Sequence, residues 1–368
     1  MGKQWSKERA WEWYNSRPWI RGCNYLPSNC VNRIEMWQEY NSDKVFAVME
    51  EEFKLMQSIG YNSIRVIIEF LVWDKEHDGY MERFEKFLTL ANKYGLSVML
   101  VLANDCMRPK GFEVDKLGEQ PCDWGYHGGR KMSQHGAFAG MGHHYLDEPE
   151  TAPRFFAMIK EFVTKYKDDE RIIIWNVYNE VGNSKRREVS LPNLKKIFEI
   201  CREIDPSQPL TCETASYYGG DFNEVCEVER YGVLNSDIVS FHNYSGYNSN
   251  ILTIRTLRKL GRPLINSEWL ARCLNNNVEE LFPLYYLEKV GCYNWGFVAG
   301  KNQTYEPWNS VWEDYEKNPN LKWDFTKWFH DLYRPNLRPY NPKEIEIIKR
   351  YCAAADEDFE ELKAKKDE

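Results

Sequence analysis

Ile172-Ile173-Ile174-Trp175-Asn176-Val177-Tyr178-Asn179-Glu180 is a short apolar run that ends on a carboxylate. Its β-branched and aromatic residues favour a buried strand, and a strand buried on both faces reads as an unbroken apolar stretch. Pro263-Leu264-Ile265-Asn266-Ser267-Glu268-Trp269 repeats the arrangement. A carboxylate placed where a buried strand runs out into a cleft keeps a fixed position while still meeting a substrate. Two such ends brought to one bond supply the acid and the nucleophile needed to break a glycosidic linkage.

Working outward, short apolar runs alternate with amphipathic stretches, the order expected when parallel strands are joined by crossover helices. The expected strands lie at 22–25, 63–68, 97–103, 172–177, 210–213, 238–242, 264–267 and 292–297. Eight is the number that closes a barrel. Helical spacing of apolar residues falls between them, at 44–59, 81–94, 152–166, 194–204, 252–260 and 278–289. Gly60, Gly95, Gly261 and Gly291 follow four of these stretches, as suits a left-handed C-terminal cap. The fold class that follows is α/β, a (β/α)8 barrel with a long loop after strand 3. One catalytic domain spans residues 1–368, ending in a charged tail over 353–368 that reads as helical or frayed and solvated. The connection after the fifth strand reads as short or irregular. Residues 104–149, rich in glycine, histidine and polar groups, are too long for a plain connector and read as a wall of the cleft. A helix over residues 7–15 precedes the first strand and is expected to plug or flank the barrel bottom.

Composition narrows the function. The chain has 368 residues, 43% hydrophobic and 28% charged, the balance of a soluble globular protein. Its longest apolar runs fall well short of the roughly 18 residues that span a membrane. A net charge of −8, with lysine and arginine scattered, argues against a nucleic-acid surface. The start of the chain lacks the apolar segment of a secretory signal, and its ten cysteines include no CxxC pair. A reduced, cytoplasmic setting is expected, with a monomer or dimer. Aromatics reach 15%, and several fall near strand ends, where a flat face can stack on the C–H face of a sugar.

With the strand ends located, the residues resemble the clan A glycoside hydrolases, closest to the cellulase-like family 5, from Arg21-Gly22-Cys23-Asn24-Tyr25 to Trp328-Phe329-His330. The resemblance implies that Asn179-Glu180 matches the family's Asn-Glu pair, with Glu180 as acid/base, and that Glu268 matches its nucleophile. It implies Arg65 as the arginine that holds the nucleophile, His242-Asn243-Tyr244 as the His-x-Tyr of the sixth strand, and Trp295 as the tryptophan of the eighth. Gly22-Cys23-Asn24-Tyr25-Leu26-Pro27-Ser28 and Val298-Ala299-Gly300-Lys301-Asn302-Gln303-Thr304 look like a subgroup that carries xylanase or cellulase labels. Two departures stand out. Val181 follows Glu180 where the family often has proline, and Glu69 stands where many relatives have histidine. An extra carboxylate at Glu69 is expected to bind sugar hydroxyls and shift specificity.

The chemistry asks for each residue type. Glu180 must carry a proton to donate it, so it needs partial desolvation or a negative neighbour. Glu268 must be ionised and aimed, which Arg65 and the Tyr244 hydroxyl can do. Asn179 suits the sugar 2-hydroxyl. Asp105, Lys301 and Trp308 are candidate sugar ligands, and Trp73, Trp124 and Trp269 stand evenly between packing and platform. His127, His135, His143 and His144 lack the spacing of common zinc motifs and read as hydrogen-bonding groups rather than metal ligands. No metal or cofactor is expected. The reading is a retaining β-glycoside hydrolase that releases sugars from short β-linked oligosaccharides or glycosides, its two carboxylates about 5 Å apart. The alternatives are an endo-acting β-1,4-glycanase of cellulase, mannanase or xylanase type, an inactive sugar-binding barrel, and a metal-dependent barrel hydrolase.

Overall fold

The computed structural model describes residues 2–111, 115–131, 140–318 and 320–367. Eight strands are present: β1 Arg21–Asn24, β2 Ser63–Ile67, β3 Ser97–Val101, β4 Ile172–Asn176, β5 Leu210–Thr211, β6 Val239–His242, β7 Leu264–Trp269 and β8 Gly291–Trp295. All ladder pairs are parallel, and the sheet runs β5-β4-β3-β2-β1-β8-β7-β6. The ring closes between β5 and β6 without a ladder. One parallel bridge, Thr214 to Phe241, spans that seam, with the Thr211 hydroxyl 2.8 Å from the Ile238 carbonyl and 2.7 Å from the Ser240 hydroxyl. The result is the (β/α)8 barrel that the strand rhythm implies.

The helices are α1 Lys7–Asn15, α2 Arg33–Trp37, α3 Ser42–Ser58, α4 Phe70–Lys75, α5 His77–Lys93, α6 Ala152–Tyr166, α7 Leu191–Ile204, α8 Glu227–Asn235, α9 Tyr247–Leu257, α10 Val278–Leu287, α11 Asn309–Lys317 and α12 Pro342–Asp367. Several begin earlier than their apolar spacing suggests. The first turn of α5 is His77-Asp78-Gly79-Tyr80 and that of α9 is Tyr247-Asn248-Ser249-Asn250, polar sequences that look like loop but serve a helix start.

Two expectations are corrected. The connection after β5 is not irregular throughout: it contains α8, which buries Val228, Glu229, Gly232 and Val233. This helix sits so close to the barrel that a Cβ on Gly232 would lie 2.7 Å from Cys212 Sγ, so one position of its inner face is a glycine and the apolar signal is weak. The end of the chain is helical, as expected, but its first part is packed instead of solvated. Residues 353–367 continue α12, which packs against α10 and buries Ile345, Ile348, Cys352 and Ala355. Asp356 pairs with buried Arg21 at 2.6 Å, and Asp358 accepts from the Tyr286 hydroxyl at 2.7 Å; residues 360–365 are exposed.

Side chains alternate across each strand. Val98, Leu100, Trp175, Val239, Phe241 and Cys292 pack outward against the helices, while Met99, Ile174, Ile238, Ile265 and Tyr293 fill the lower barrel interior. Helix α1 caps that end: Trp5, Ala10 and Tyr14 join the interior cluster, and the Trp5 backbone N–H donates to Asp237 at 2.8 Å. The upper interior layer is polar and carries Asn24, Arg65, Asn176 and His242. At β1 the backbones approach so closely that a Cβ on Gly22 would sit 1.7 Å from the Ser63 carbonyl oxygen, a position only glycine fills. None of the described helices is long and apolar enough to cross a membrane.

Candidate active site

A cleft of about 1220 Å³ opens over the C-terminal ends of the strands, the face where the loops of such barrels gather. Arg65, Asn179, Glu180, Tyr244, Glu268 and Trp295 line it, with Glu69 and Trp308 farther out. Described residues of the long loop at 104–149 also line it, namely Asn104, Cys106, Arg108, Asp115, His127, Gly128 and Arg130.

Glu268 owes its position to irregular pairing. Counting from inward Ile265, strict alternation would turn Glu268 to the outer face. The β6–β7 register slips between Phe241 and His242, and the β7–β8 register slips between Asn266 and Trp269. Such slips re-aim a side chain, and here the carboxylate faces the mouth. Arg65 Nη1 donates to its Oε1 at 2.7 Å and the Tyr244 hydroxyl to its Oε2 at 2.8 Å. Burial pushes the Glu268 carboxyl above its usual value, while His242, Arg65 and Tyr244 pull the other way. Arg65 itself has no exposed side-chain surface and also donates to Asn24, Asn176 and Asn179.

Glu180 follows β4 with a left-handed backbone, φ 45°. Its Oε1 lies 2.8 Å from His242 Nδ1, and its Oε2 accepts from Cys106 Sγ at 2.9 Å and from Asn183 Nδ2. Asn179 is fixed between Arg65 and Asn104, accepting from Arg65 Nη2 at 2.5 Å and donating to Asn104 at 2.7 Å. His242 sits beneath both glutamates, its Nδ1 also 3.4 Å from Glu268 Oε2. Burial alone would lower the His242 pKa, but the charges of Glu268, Glu213 and Glu180 raise it overall. Ligand-type atoms of Glu180, His242 and Glu268 all lie within 4.8 Å of one another. That donor set would accept a divalent cation, yet each of the two carboxylates already has protein hydrogen-bond donors.

Other expected ligands fall in different places. Asp105 is a correction: its side chain is fully enclosed, 2.9 Å from Arg186 Nε, and it accepts from the Tyr178 hydroxyl and the Gly182 N–H. It braces the loop that follows β4 instead of facing sugar. Lys301 is a second correction; it points to Glu35, donating at 2.9 Å, and lies outside the cleft lining. Glu69 stays at the cleft with Arg33 Nε 3.3 Å away, and burial lifts its carboxyl above the usual value. Trp308 packs edge-on against Tyr244, ring centroids 4.8 Å apart. Trp269 is core, packed with Phe282 and Tyr285. Neither Trp73 nor Trp124 lines the cleft; Trp73 donates to Glu161 and Trp124 is exposed.

The histidines of the long loop do not converge. His127 Nδ1 meets the Glu306 carbonyl, His143 pairs with Asp147 and Glu148, and buried His144 accepts from the Leu146 N–H, its pKa lowered to about 3 by burial. His135 lies outside the described residues. All ten cysteines are free thiols.

Two neighbours of the site were not anticipated. Cys106 donates to Glu180, and Glu213, beyond β5, accepts the Glu180 N–H at 2.8 Å. Glu213 ends an apolar run just as Glu180 and Glu268 do, so the same signal was present in the sequence.

The family model for cellulase, glycosyl hydrolase family 5, matches residues 31–310. The chain therefore belongs to glycosyl hydrolase family 5, and it is an O-glycosyl hydrolase. No curated protein matches it in sequence. Among solved structures it is similar to an exo-beta-1,4-mannosidase from Opitutaceae bacterium strain TAV5, with a TM-score of 0.57, 15% identity, and 92% of this chain and 60% of that chain covered. This chain thus spans about 60% of that enzyme's length. It is also similar to a family 5 mannosidase from Rhizomucor miehei, with a TM-score of 0.55, 14% identity and 94% of each chain covered. A third is a GH5_18 protein from Streptomyces cattleya in complex with GlcNAc, with a TM-score of 0.56, 11% identity, and 94% of this chain and 81% of that chain covered. At these identities the likeness speaks for the barrel.

Proposed function

We propose that this chain is a retaining β-glycoside hydrolase acting on short β-linked oligosaccharides or glycosides, with mannosides first among them. The observation that carries the mechanism is the approach of the Glu180 and Glu268 carboxylates to within 4.8 Å. A gap near 5 Å suits direct attack by one carboxylate, whereas an interposed water needs roughly 6.5 Å or more. Glu268, ionised and aimed by Arg65 and Tyr244, attacks the anomeric carbon. Glu180 gives its proton to the leaving oxygen, and the sugar is left as an ester on Glu268. That ester carries no charge, so Glu180 loses a negative neighbour and can take a proton from the incoming water. Asn179 is placed for the sugar 2-hydroxyl, its second amide hydrogen making only a long contact of 3.8 Å to Cys106 Sγ that the sugar oxygen would replace. Glu69, Trp295 and Trp308 line the sugar sites, whereas His242, expected there as well, is buried beneath the two glutamates and acts on them. Mannose is put first because the similar structures are named as mannosidases and mannanases.

Glu268→Gly is expected to abolish turnover, and azide is expected to restore activity to Glu180→Ala on an activated β-glycoside, yielding a glycosyl azide of retained configuration. Failure of both refutes the mechanism. A second reading, endo-acting cleavage of a polysaccharide, is favoured by one feature: the cleft lining is drawn from many loops, reaching Arg33 and Asp115 as well as Tyr218 and Asp221 beyond β5. Products from a graded series of β-1,4-manno-oligosaccharides separate the two. Single sugars alone support release from an end, and mid-chain fragments support the endo reading.

A further inference from the structure

Glu213 is the third carboxylate of the site, and both its oxygens are occupied inside the protein. Its side chain has no exposed surface. Oε1 accepts the backbone N–H of Glu180 at 2.8 Å and faces Arg65 Nη2 at 3.4 Å; Oε2 accepts from Asn176 Nδ2 at 2.8 Å. Oε1 also lies 3.6 Å from His242 Nε2, a buried ring nitrogen with no hydrogen-bond partner in the structure, while Nδ1 of the same ring meets the Glu180 carboxylate. Glu213 therefore holds Glu180 directly at its backbone, and its charge also lies beside the imidazole that meets the Glu180 carboxylate.

The backbone contact matters because Glu180 is a non-glycine residue in the left-handed region, which such residues occupy only when their surroundings fix them. The N–H of Glu180 turns inward toward β5, and a charged acceptor waits for it there. A charge-assisted bond of this kind is stronger and more directional than a neutral one. Burying the Glu213 charge is tolerable because Arg65 is shared between it and Glu268. Neither oxygen reaches the cleft, so Glu213 acts only through other residues.

We propose that Glu213 is a positioning residue for proton donation, fixing the backbone of Glu180 and, through His242, the direction of its carboxylate. This rests on Glu180 being the proton donor. Substitution Glu213→Gln keeps the volume but removes the charge and sets an NH2 among donors, with the nearest ring nitrogen, His242 Nε2, 3.6 Å from the present oxygen. Loss of aim at Glu180 should matter in proportion to how much protonation the leaving group needs.

The test is kcat/KM of wild type, Glu213→Gln and Glu213→Asp on aryl β-mannosides graded by leaving-group acidity, together with an unactivated disaccharide. Folding is checked by thermal unfolding, and the aspartate variant serves if the glutamine variant does not fold. The expected result for Glu213→Gln is a loss of about 100-fold on the unactivated substrate, the lower part of what a general acid supplies. Rates should remain near wild type on the dinitrophenyl mannoside, so the dependence on leaving group steepens. An equal loss across the series, or none, overturns the proposal while leaving the mechanism intact, provided that wild type turns over and azide rescues Glu180→Ala. A folded wild type that cleaves no β-glycoside takes down the mechanism and this role together.

Discussion

Replacing Arg65 by methionine tests the electrostatic frame of the site. Arg65 has no exposed side-chain surface, and it faces two carboxylates, Glu268 at 2.7 Å and Glu213 at 3.4 Å. The remaining hydrogen bonds of its guanidinium go to Asn24, Asn176 and Asn179. Methionine fills similar space but strands those acceptors. Removing one partner of a buried charge pair costs about 3–5 kcal/mol. For 368 residues, an unfolding entropy of about 2.1 cal/mol/K per residue gives a fall in Tm of roughly 4–6 °C. The sign of the pH dependence follows from Glu268, whose carboxyl burial already raises above its usual value. Without the guanidinium it rises further, so the folded variant keeps a proton that the unfolded chain has released. The part of the deficit that comes from Glu268 is therefore small below the ordinary carboxylate pKa and grows as pH climbs through the raised one, on top of a pH-independent part from the stranded asparagine oxygens. Thermal unfolding of both proteins followed by circular dichroism at pH 5 and pH 8 measures it. Activity should fall at least about 100-fold, as expected for a misdirected nucleophile. A Tm change below about 2 °C, or one identical at both pH values, refutes the reasoning.

Cys106→Ala removes a donor to Glu180 and should lower kcat/KM by about tenfold, the order of one hydrogen bond to a charged group, with unfolding unchanged; steady-state kinetics decides. Arg186→Met leaves Asp105 without its cation and releases Asp147, which Arg186 holds at 2.6 Å. Stability should drop by about 3–5 kcal/mol in denaturant titration, and activity should fall with it because the loop carrying Glu180 loses its brace. Trp5→Ala at the opposite end of the barrel should cost about 3–5 kcal/mol yet leave kcat per folded molecule unaltered. A change in kcat there would contradict the separation of bottom-face stability from top-face chemistry.

The strands and the principal glutamates were legible because a fully buried parallel strand writes itself as a continuous apolar run, and a charge that ends such a run is conspicuous. Arg65, a cation inside Ser63–Ile67, was reached through the family resemblance instead. What alternation could not give was the direction of Glu268, which depends on register slips on both edges of β7. Asp105 and Lys301 illustrate a second limit. Both are charged residues just past strand ends, and only the partners Arg186 and Glu35, distant in sequence, decide that they face away from the cleft. Helix α8 was hidden because its inner face uses Gly232 against Cys212. The first part of the expected tail was hidden because alanines read as neutral until α10 is set beside them. Glu213 was visible and passed over, since a third carboxylate had no place in a two-carboxylate scheme.

The gap in the backbone ladder between β5 and β6 bears on how the site is assembled. Where main-chain pairing dwindles to a single bridge, the two sides are also joined by Glu213 and His242, one from each side of the joint. Ring closure thus also brings together two members of the cluster around Glu180, one from each side of the seam. The stretch of barrel with the least main-chain pairing is the one where charged side chains of the site meet.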